Sequence, residues 1–436
     1  MATIINKPLE KLKIFSFSGI QMRTFHITWI TFFFCFFGWF GVAPLMPIVR
    51  EDLGLTKDQI GNIIIASVSA TILARLLIGR LCDTLGPRLS YTFLLILGAI
   101  PLLTIGWANS YMSFLLFRFV IGIIGASFVI TQYHTSVMFA PKIVGTANAV
   151  AGGWGNLGGG VTNMVMPLIF AGIMSVGYSK HDAWRIAMIF PGAMLLILAF
   201  VYYKFTKDSP MGNFADIKKS ETVTKKDTGG GFKEALLDSR VWVLFLAYAV
   251  CFGIEITFDN VASLYFVDTF KMGLKEAGFL AGCFGLMNLF ARALGGFFGD
   301  KMGNKFGLGG RVKILALFLV LEGVGIIFFS WSQTLPIAIA MMIMFALALK
   351  MANGATYSVV PFINRKAIGS VSGIVGAGGN LGAMLAGFLF KSKTISYAQA
   401  FTYIGVTVMI VAVIVFLVKF EKKAEVAPVD LGLQAA

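Results

Sequence analysis

A chain of 436 residues that is 57% hydrophobic and 13% charged, with a mean hydropathy of +0.83, has too little polar surface for a water-soluble globule. Its formal charge of +15 is spread over alternate loops and tails, without the continuous basic face that nucleic acid requires, so a nucleic-acid partner is excluded. Composition points instead to an all-α polytopic membrane protein in contact with lipid.

Apolar runs near 26–49, 59–81, 89–108, 112–140, 144–175, 183–203, 240–269, 276–299, 312–331, 335–360, 367–390 and 398–419 predict twelve transmembrane helices. Each is close to the roughly 20 residues that cross a hydrocarbon core. The first run is too long for a cleavable signal and is followed by many more. Arg80 and Arg88 follow the second run, Lys142 the fourth, Lys301, Lys305 and Arg311 the eighth, and Arg365 and Lys366 the tenth. Loops on the other side carry mixed or little charge, so the positive-inside rule places both termini in the cytoplasm and the chain in the cytoplasmic (inner) membrane.

The second run ends in "ARLLIGRLCDTLGPR" at 74–88, and "ARALGGFFGDKMGNK" at 291–305 repeats its Ala, Arg, Leu, Gly, Asp and Gly at a constant offset of 217. The repeat pairs Arg75 with Arg292, each several residues inside an apolar run, where a charge normally faces the bundle interior. A lone arginine there could simply salt-bridge a carboxylate. Two at equivalent positions converge on one axis, and two planar forks of donors that never lose their charge suit a flat oxyanion.

The fifth run contains "AGGWGNLGGG" at 151–160, and the eleventh contains "GAGGNLG" at 376–382. Asn156 and Asn380 thus occupy matched positions, preceded by Gly155 and Gly379. An amide supplies two N–H donors, and glycine bares backbone and lets helices approach closely. Glycine packing with asparagine as interhelical glue is compatible with that reading. Residues 153–158, "GWGNLG", satisfy GxGxxG, but no strand precedes them and no βαβ unit surrounds them, so the dinucleotide reading is rejected.

Between 204 and 239 the chain turns polar and lysine-rich, with "KKSETVTKKDTGGG" at 218–231. The expected organisation is an N-terminal six-helix bundle over 1–203, a cytoplasmic linker over 204–239, a C-terminal six-helix bundle over 240–420 and a cytoplasmic tail over 421–436. Repeated halves of this kind let secondary transporters place a substrate near the midplane between two rocking bundles.

In the seventh run, "AYAVCFGIEITFDN" spaces Tyr248, Phe252, Glu255 and Asp259 four, three and four residues apart, on one helix face. Two carboxylates make a lipid-facing stripe implausible, so this face is expected to line a cavity. Tyr248 would donate, Phe252 would wall the ligand, and Glu255 and Asp259 would balance the arginines or carry protons. Arg118, Glu322 and Lys350 belong to a charge network or to helix–helix pairs; His134 satisfies a local hydrogen bond, and His26 and His181 are interfacial. Cys35, Cys82, Cys251 and Cys283 show no paired spacing, so neither a disulfide framework nor a metal site is expected. No GxSxG or HExxH signature occurs, and no enzymatic activity or cofactor is expected.

With "FGIEITFDN" at 252–260 and "NGATYSVVPF" at 353–362, these motifs resemble the nitrate/nitrite porter family of the major facilitator superfamily across nearly all twelve spans. The two glycine-asparagine stretches look like that family's nitrate signatures, and "GRLCDTLGPR" resembles the superfamily signature that follows the second span. The resemblance implies a major facilitator fold, with twelve transmembrane helices in two pseudo-symmetric six-helix bundles. It implies that Arg75 and Arg292 hold the anion, helped by Asn156, Tyr248, Phe252 and Phe128 of "GASF". Tyr357 of "GATY" falls where relatives often have phenylalanine, so it would wall the site or add a donor. Asp83, Arg88 and Asp300 would form a cytoplasmic latch. The expected function is secondary transport of nitrate, with nitrite, by a monomer, with proton-coupled nitrate uptake as the favoured mode. Nitrate/nitrite exchange, carriage of another small anion and a non-transporting nitrate sensor are the alternatives.

Overall fold

A computed structural model describes residues 7–216, 230–272, 274–391 and 394–418. Before the linker lie α1 (Ile20–Phe40), α2 (Met46–Leu53), α3 (Lys57–Leu85), α4 (Pro87–Thr104), α5 (Tyr111–Ile121), α6 (Ser127–Met138), α7 (Val144–Ser175), α8 (Lys180–Ala187) and α9 (Ile189–Phe205). After it lie α10 (Gly230–Leu237), α11 (Ser239–Phe270), α12 (Leu274–Leu286), α13 (Ala291–Ser330), α14 (Leu335–Val359), α15 (Ile368–Lys391) and α16 (Tyr397–Leu417). Polar residues at the run boundaries start several of these helices. Thr56 with Gln59 and Ser396 with Gln399 form reciprocal capping boxes at α3 and α16, satisfying backbone donors that the helix leaves free. Among the described residues, strand pairing is limited to isolated bridges. The middle of the expected linker and the expected tail at 421–436 lie outside the described residues.

Among the described residues eleven helices are long and apolar enough to cross a membrane, against twelve predicted runs. The difference lies in the eighth and ninth runs. The eighth is divided between α12 and the first part of α13, with a 3-10 turn at Met287–Leu289 between them. The ninth is the remainder of α13, beyond Gly307. That glycine has φ 72° and ψ −164°, a conformation essentially restricted to glycine. The chain reverses there: Arg311 Nη1 reaches Asp300 Oδ1 at 2.5 Å, whereas eleven residues of straight helix would separate them by roughly 16 Å.

Two symmetry-related helix pairs join the bundles, α3 against α15 and α7 against α13. Glycine makes both contacts possible, because a Cβ on Gly79 would strike the Gly369 carbonyl and one on Gly296 would strike that of Gly145. The predicted fourth run is likewise interrupted by a 3-10 segment, Gly122–Ala126, between α5 and α6. Two carbonyls of that segment bond across the bundle: Thr71 Oγ1 donates to Gly122 O at 2.7 Å and Arg75 Nε to Gly125 O at 3.2 Å.

Two peripheral segments are also anchored. Residue Leu9 pairs with the α6–α7 connection, its N–H donating to Met138 O at 3.0 Å and its carbonyl accepting from Ala140 N at 2.8 Å, and Glu10 forms an ion pair with Lys142. At the start of the linker, Asp208 accepts from the Arg88 and Phe214 amides at 2.8 and 3.0 Å. Burial is the main influence on that carboxyl and holds it above the usual aspartate range.

Candidate functional site

Arg75 on α3 and Arg292 on α13 are 0% and 1% exposed, and their guanidinium carbons each lie 5.3 Å from the centre of the Phe128 ring. Both also approach Phe252, at 5.3 and 5.8 Å. The repeat thus brings one cation from each bundle to the same phenylalanine. Phe128, Tyr248 and Phe252 are mutually stacked, with ring planes 8 to 12° apart. Tyr357 meets Phe128 and Tyr248 edge-on, at 4.8 and 5.0 Å, and its hydroxyl donates to Ser372 O at 3.2 Å. These rings pack against the guanidiniums and leave their N–H edges among aromatic walls.

The two arginines are held differently. Arg75 donates to two carbonyls, Gly125 O at 3.2 Å and Gly376 O, and with its oxygen turned to the guanidinium the Asn380 amide accepts from Arg75 Nη1 at 2.9 Å. Arg292 donates to Tyr248 Oη at 2.9 Å and lies 3.9 Å from Glu255 Oε2. Among the described residues, Arg75 Nη2, Arg292 Nη1 and Asn156 Oδ1 are buried without a hydrogen-bond partner. Buried guanidinium N–H groups left this way call for an acceptor.

Of the glycines singled out in the sequence, Gly155 packs closely against the Phe32 ring, and Gly379 against the rings of Tyr248 and Phe252. Their neighbours Gly152 and Gly376 lie nearer the guanidiniums, Gly152 against Arg292 and Gly376 against Arg75. His134 bonds Tyr202 Oη at 2.6 Å and Lys207 O at 2.7 Å, a local role remote from the arginines.

Glu255 sits at the centre of a second cluster. Its Oε1 accepts from Asn288 at 2.6 Å and from Lys350 at 3.0 Å, and its Oε2 accepts from Asn353 at 2.6 Å. Asp259, one turn further along α11, is exposed and makes none of these hydrogen bonds, yet stays within electrostatic reach of Lys350 and Glu255. Sequence reasoning missed Asn288 and Asn353 and left Lys350 unassigned. Lys350, Asn353 and Tyr357 are spaced three and four residues apart on α14, a readable stripe ending in a residue already singled out. Asn288 lies in a 3-10 turn, which no helical period reveals.

Asp83 and Asp300 occupy matched places at the bundle interface. Asp83 accepts from Gly369 N at 2.9 Å, Ser370 N at 2.8 Å and Ser370 Oγ at 2.5 Å. Asp300 accepts from Gly145 N at 3.0 Å, Thr146 N at 2.6 Å and Thr146 Oγ1 at 2.7 Å. Each carboxylate therefore serves the first turn of a helix in the opposite bundle, where free amides and the helix dipole favour negative charge. Arg88 is directed elsewhere, donating to Tyr203 O at 2.7 Å and covering the Tyr203 ring.

Two repeated helical bundles, each contributing a buried guanidinium to the same aromatic cluster, have the organisation of a secondary transporter. The Major Facilitator Superfamily model matches residues 28–386. The proton:xylose symporter XylE has a similar fold, with a TM-score of 0.71 and 14% identity over 90% of this chain and 94% of that one; the human organic anion transporter MFSD10 gives 0.66 and 16% over 91% and 100%. The chain is 41% identical to "High affinity nitrate transporter 2.5" of Arabidopsis thaliana over 397 residues, covering 90% of this chain and 79% of the relative. It is 30% identical to the nitrate/nitrite transporter NrtP of Picosynechococcus, with 85% of each chain covered. The chain belongs to the nitrate/nitrite porter family of the major facilitator superfamily.

Proposed function

We propose that this protein is a secondary transporter that moves nitrate, and nitrite with it, by alternating access, and that proton-coupled nitrate uptake is its principal mode. The observation that carries the reading is the convergence of Arg75 and Arg292, one from each bundle, on Phe128, with N–H groups of both lacking a hydrogen-bond partner among the described residues. Nitrate and nitrite oxygens only accept hydrogen bonds, and donors from arginine and tyrosine between aromatic walls complement them. A sugar would need acceptors as well.

Arg75 is held by carbonyl and amide oxygens, so its charge is available to the substrate, while Arg292 shares its charge with Glu255. An anion entering between them competes with Glu255 for Arg292 and draws the bundles together on a common ligand. The carboxylate contacts of Asp83 and Asp300 lie on the linker side, near Asp208, and would separate as that side opens, with the glycine stretches at 155–160 and 376–382 letting helices slide. We assign Asn156 and Asn380 as flanking amides, Glu255 and Asp259 as the carboxylates of proton coupling, and 1–203 and 240–420 as the moving bodies. Basic loops on the linker side support a cytoplasmic location for it, in the cytoplasmic membrane, with the chain acting as a monomer.

One observation favours a second reading, nitrate/nitrite exchange: Glu255 is already engaged by Asn288, Lys350 and Asn353, which stabilise its ionised form. Uptake of labelled nitrate into proteoliposomes, with and without internal nitrite and with an imposed pH gradient, separates the modes. Arg75→Lys and Arg292→Lys are expected to lower apparent nitrate affinity by at least about tenfold, since an ammonium cannot reproduce the two-pronged donor geometry. Full uptake in either variant would falsify the two-arginine reading. Flux that ignores the pH gradient, and is the same in Glu255→Gln and Asp259→Asn, would leave exchange as the mode.

A further inference from the structure

Glu322 lies in the ninth-run half of α13, fully buried, and among the described residues neither of its carboxyl oxygens has a hydrogen-bond partner. The helices around it are packed tightly at that level, Gly323 against Met409 and Gly405 of α16 and Gly325 against Phe345 of α14. From α11 it is faced by the Glu255 carboxylate and the Cys251 thiol. From α14 the only charged side chain is Lys350, whose ammonium is bound to Glu255, and α16 carries no charged residue. Leucine would serve packing here at no electrostatic cost, whereas burial strongly disfavours an ionised carboxylate without a donor. A neutral acid is tolerated.

We propose that Glu322 is a proton-binding group of the transport cycle, carrying its proton in the conformation seen here and coupled through Glu255 to the anion held by Arg292. The proposal rests on the reading of the chain as a nitrate carrier. Its chemistry is a simple exchange with water: one O–H bond forms on the carboxylate when the proton is taken up and breaks when it is returned. The coupling follows from the local charges. The buried cations Arg75, Arg292 and Lys350 face the buried carboxyls Glu255 and Glu322, with Asp259 within reach of Lys350 and Glu255. With Glu322 neutral, the excess of positive charge favours the anion. With Glu322 ionised, a second negative charge beside Glu255 lowers that excess and releases the anion. By linkage the anion strengthens proton binding by the same factor, which is the behaviour a symporter needs. Glu255, already bound by three side-chain donors, relays the charge rather than carrying the proton.

The test uses the full chain in proteoliposomes, with labelled nitrate counterflow, nitrate accumulation driven by a pH gradient, and apparent nitrate affinity measured across pH. Glu322→Gln fixes the neutral form. It is expected to keep counterflow, to lose pH-driven accumulation by at least about tenfold, within the range of site-to-site coupling, and to flatten the pH dependence of affinity. Glu322→Asp is expected to keep coupling with a displaced pH midpoint. Wild-type accumulation and pH dependence in Glu322→Gln would overturn the proposal. So would loss of every mode in that variant together with a wild-type pH profile in Glu322→Asp, because Glu322 would then be structural. Counterflow without pH-driven accumulation in the wild-type protein would overturn the proton assignment and leave the carrier reading intact. Absence of nitrate counterflow in the wild type would overturn both.

Discussion

At the scale of single residues, the geometry around Arg75 is the most sensitive to charge. Asn380 offers its amide oxygen to the guanidinium at 2.9 Å, and a carboxylate at the same place would form an ion pair where the substrate should bind. Asn380→Asp is therefore expected to weaken nitrate binding by about tenfold or more, since hydrogen bonds to charged groups contribute about 1.5–3 kcal/mol. Equilibrium titration of the purified variant checks this, and unchanged or tighter binding would contradict it. Arg75 and Arg292 were legible because the same motif recurs at a fixed offset, which makes coincidence a poor explanation for either. Their immediate partners were not. Gly125 and Gly376 bond Arg75 through backbone carbonyls, which the identity of a residue does not reveal. Glu255 was legible as part of a helix face, but its saturation by Asn288, Lys350 and Asn353 depends on how α11, α14 and the 3-10 turn before α13 come together.

At the scale of elements, hydropathy located the apolar runs but not the interruptions inside them. A 3-10 segment keeps the same hydrophobic character as the helix around it, so Gly122–Ala126 and Met287–Leu289 are invisible to a moving average. The reversal at Gly307 has a direct consequence. Gly307→Ala places a Cβ in a conformation that costs of order 1–3 kcal/mol, and the variant is expected to unfold at lower temperature in detergent without a change in substrate preference. An unaltered unfolding temperature would show that the turn relaxes without strain. A second element-level prediction concerns α2 and α8, joined by Asp52, which accepts from His181 at 2.6 Å, Arg185 at 2.7 Å and Trp184 at 3.1 Å. Burial alone would push this carboxyl up, but the bonds from His181, Arg185 and Trp184 and the Arg185 charge outweigh it and hold it below the usual aspartate value. The sign follows. A carboxyl lowered in the folded state contributes stability above its unfolded pKa of about 3.9 and loses it as pH falls below that value. Thermal unfolding followed from pH 6 downward should show a shallower acid limb in Asp52→Asn than in the wild type, while equal limbs would exclude this contribution.

At the scale of the whole molecule, the internal repeat is the feature that sequence reveals best, because pseudo-symmetry places residues at equal offsets in equivalent positions. The matched aspartates illustrate this. Asp83 and Asp300 were visible as a pair, and the structure adds what each one grips, the first turn of a helix across the interface. Arg88, alike in sequence context, is turned toward the end of α9. Removing either grip should favour separation on the linker side. In Asp83→Ala and Asp300→Ala, spin labels at Thr84 and Lys366 are expected to report a larger population of long distances by pulsed electron resonance. Loss of charge-assisted bonds of roughly 1.5–3 kcal/mol corresponds to a population shift of about tenfold or more. Asp300→Ala should also lower thermal stability more than Asp83→Ala, since the buried Arg311 guanidinium loses its carboxylate. Identical distance distributions in all three proteins would mean that other contacts keep this side shut.

The strand-like pairing of Leu9 with Met138 and Ala140, reinforced by Gln21 donating to Lys7 O at 2.8 Å, fastens the amino-terminal arm to the first six helices. The arm is thus a passenger of one body and not a hinge between two. A fluorophore installed there would ride rigidly with that body, so its energy transfer to an acceptor on α16 would register rocking itself, free of the wagging that usually blurs a dye placed near a chain end.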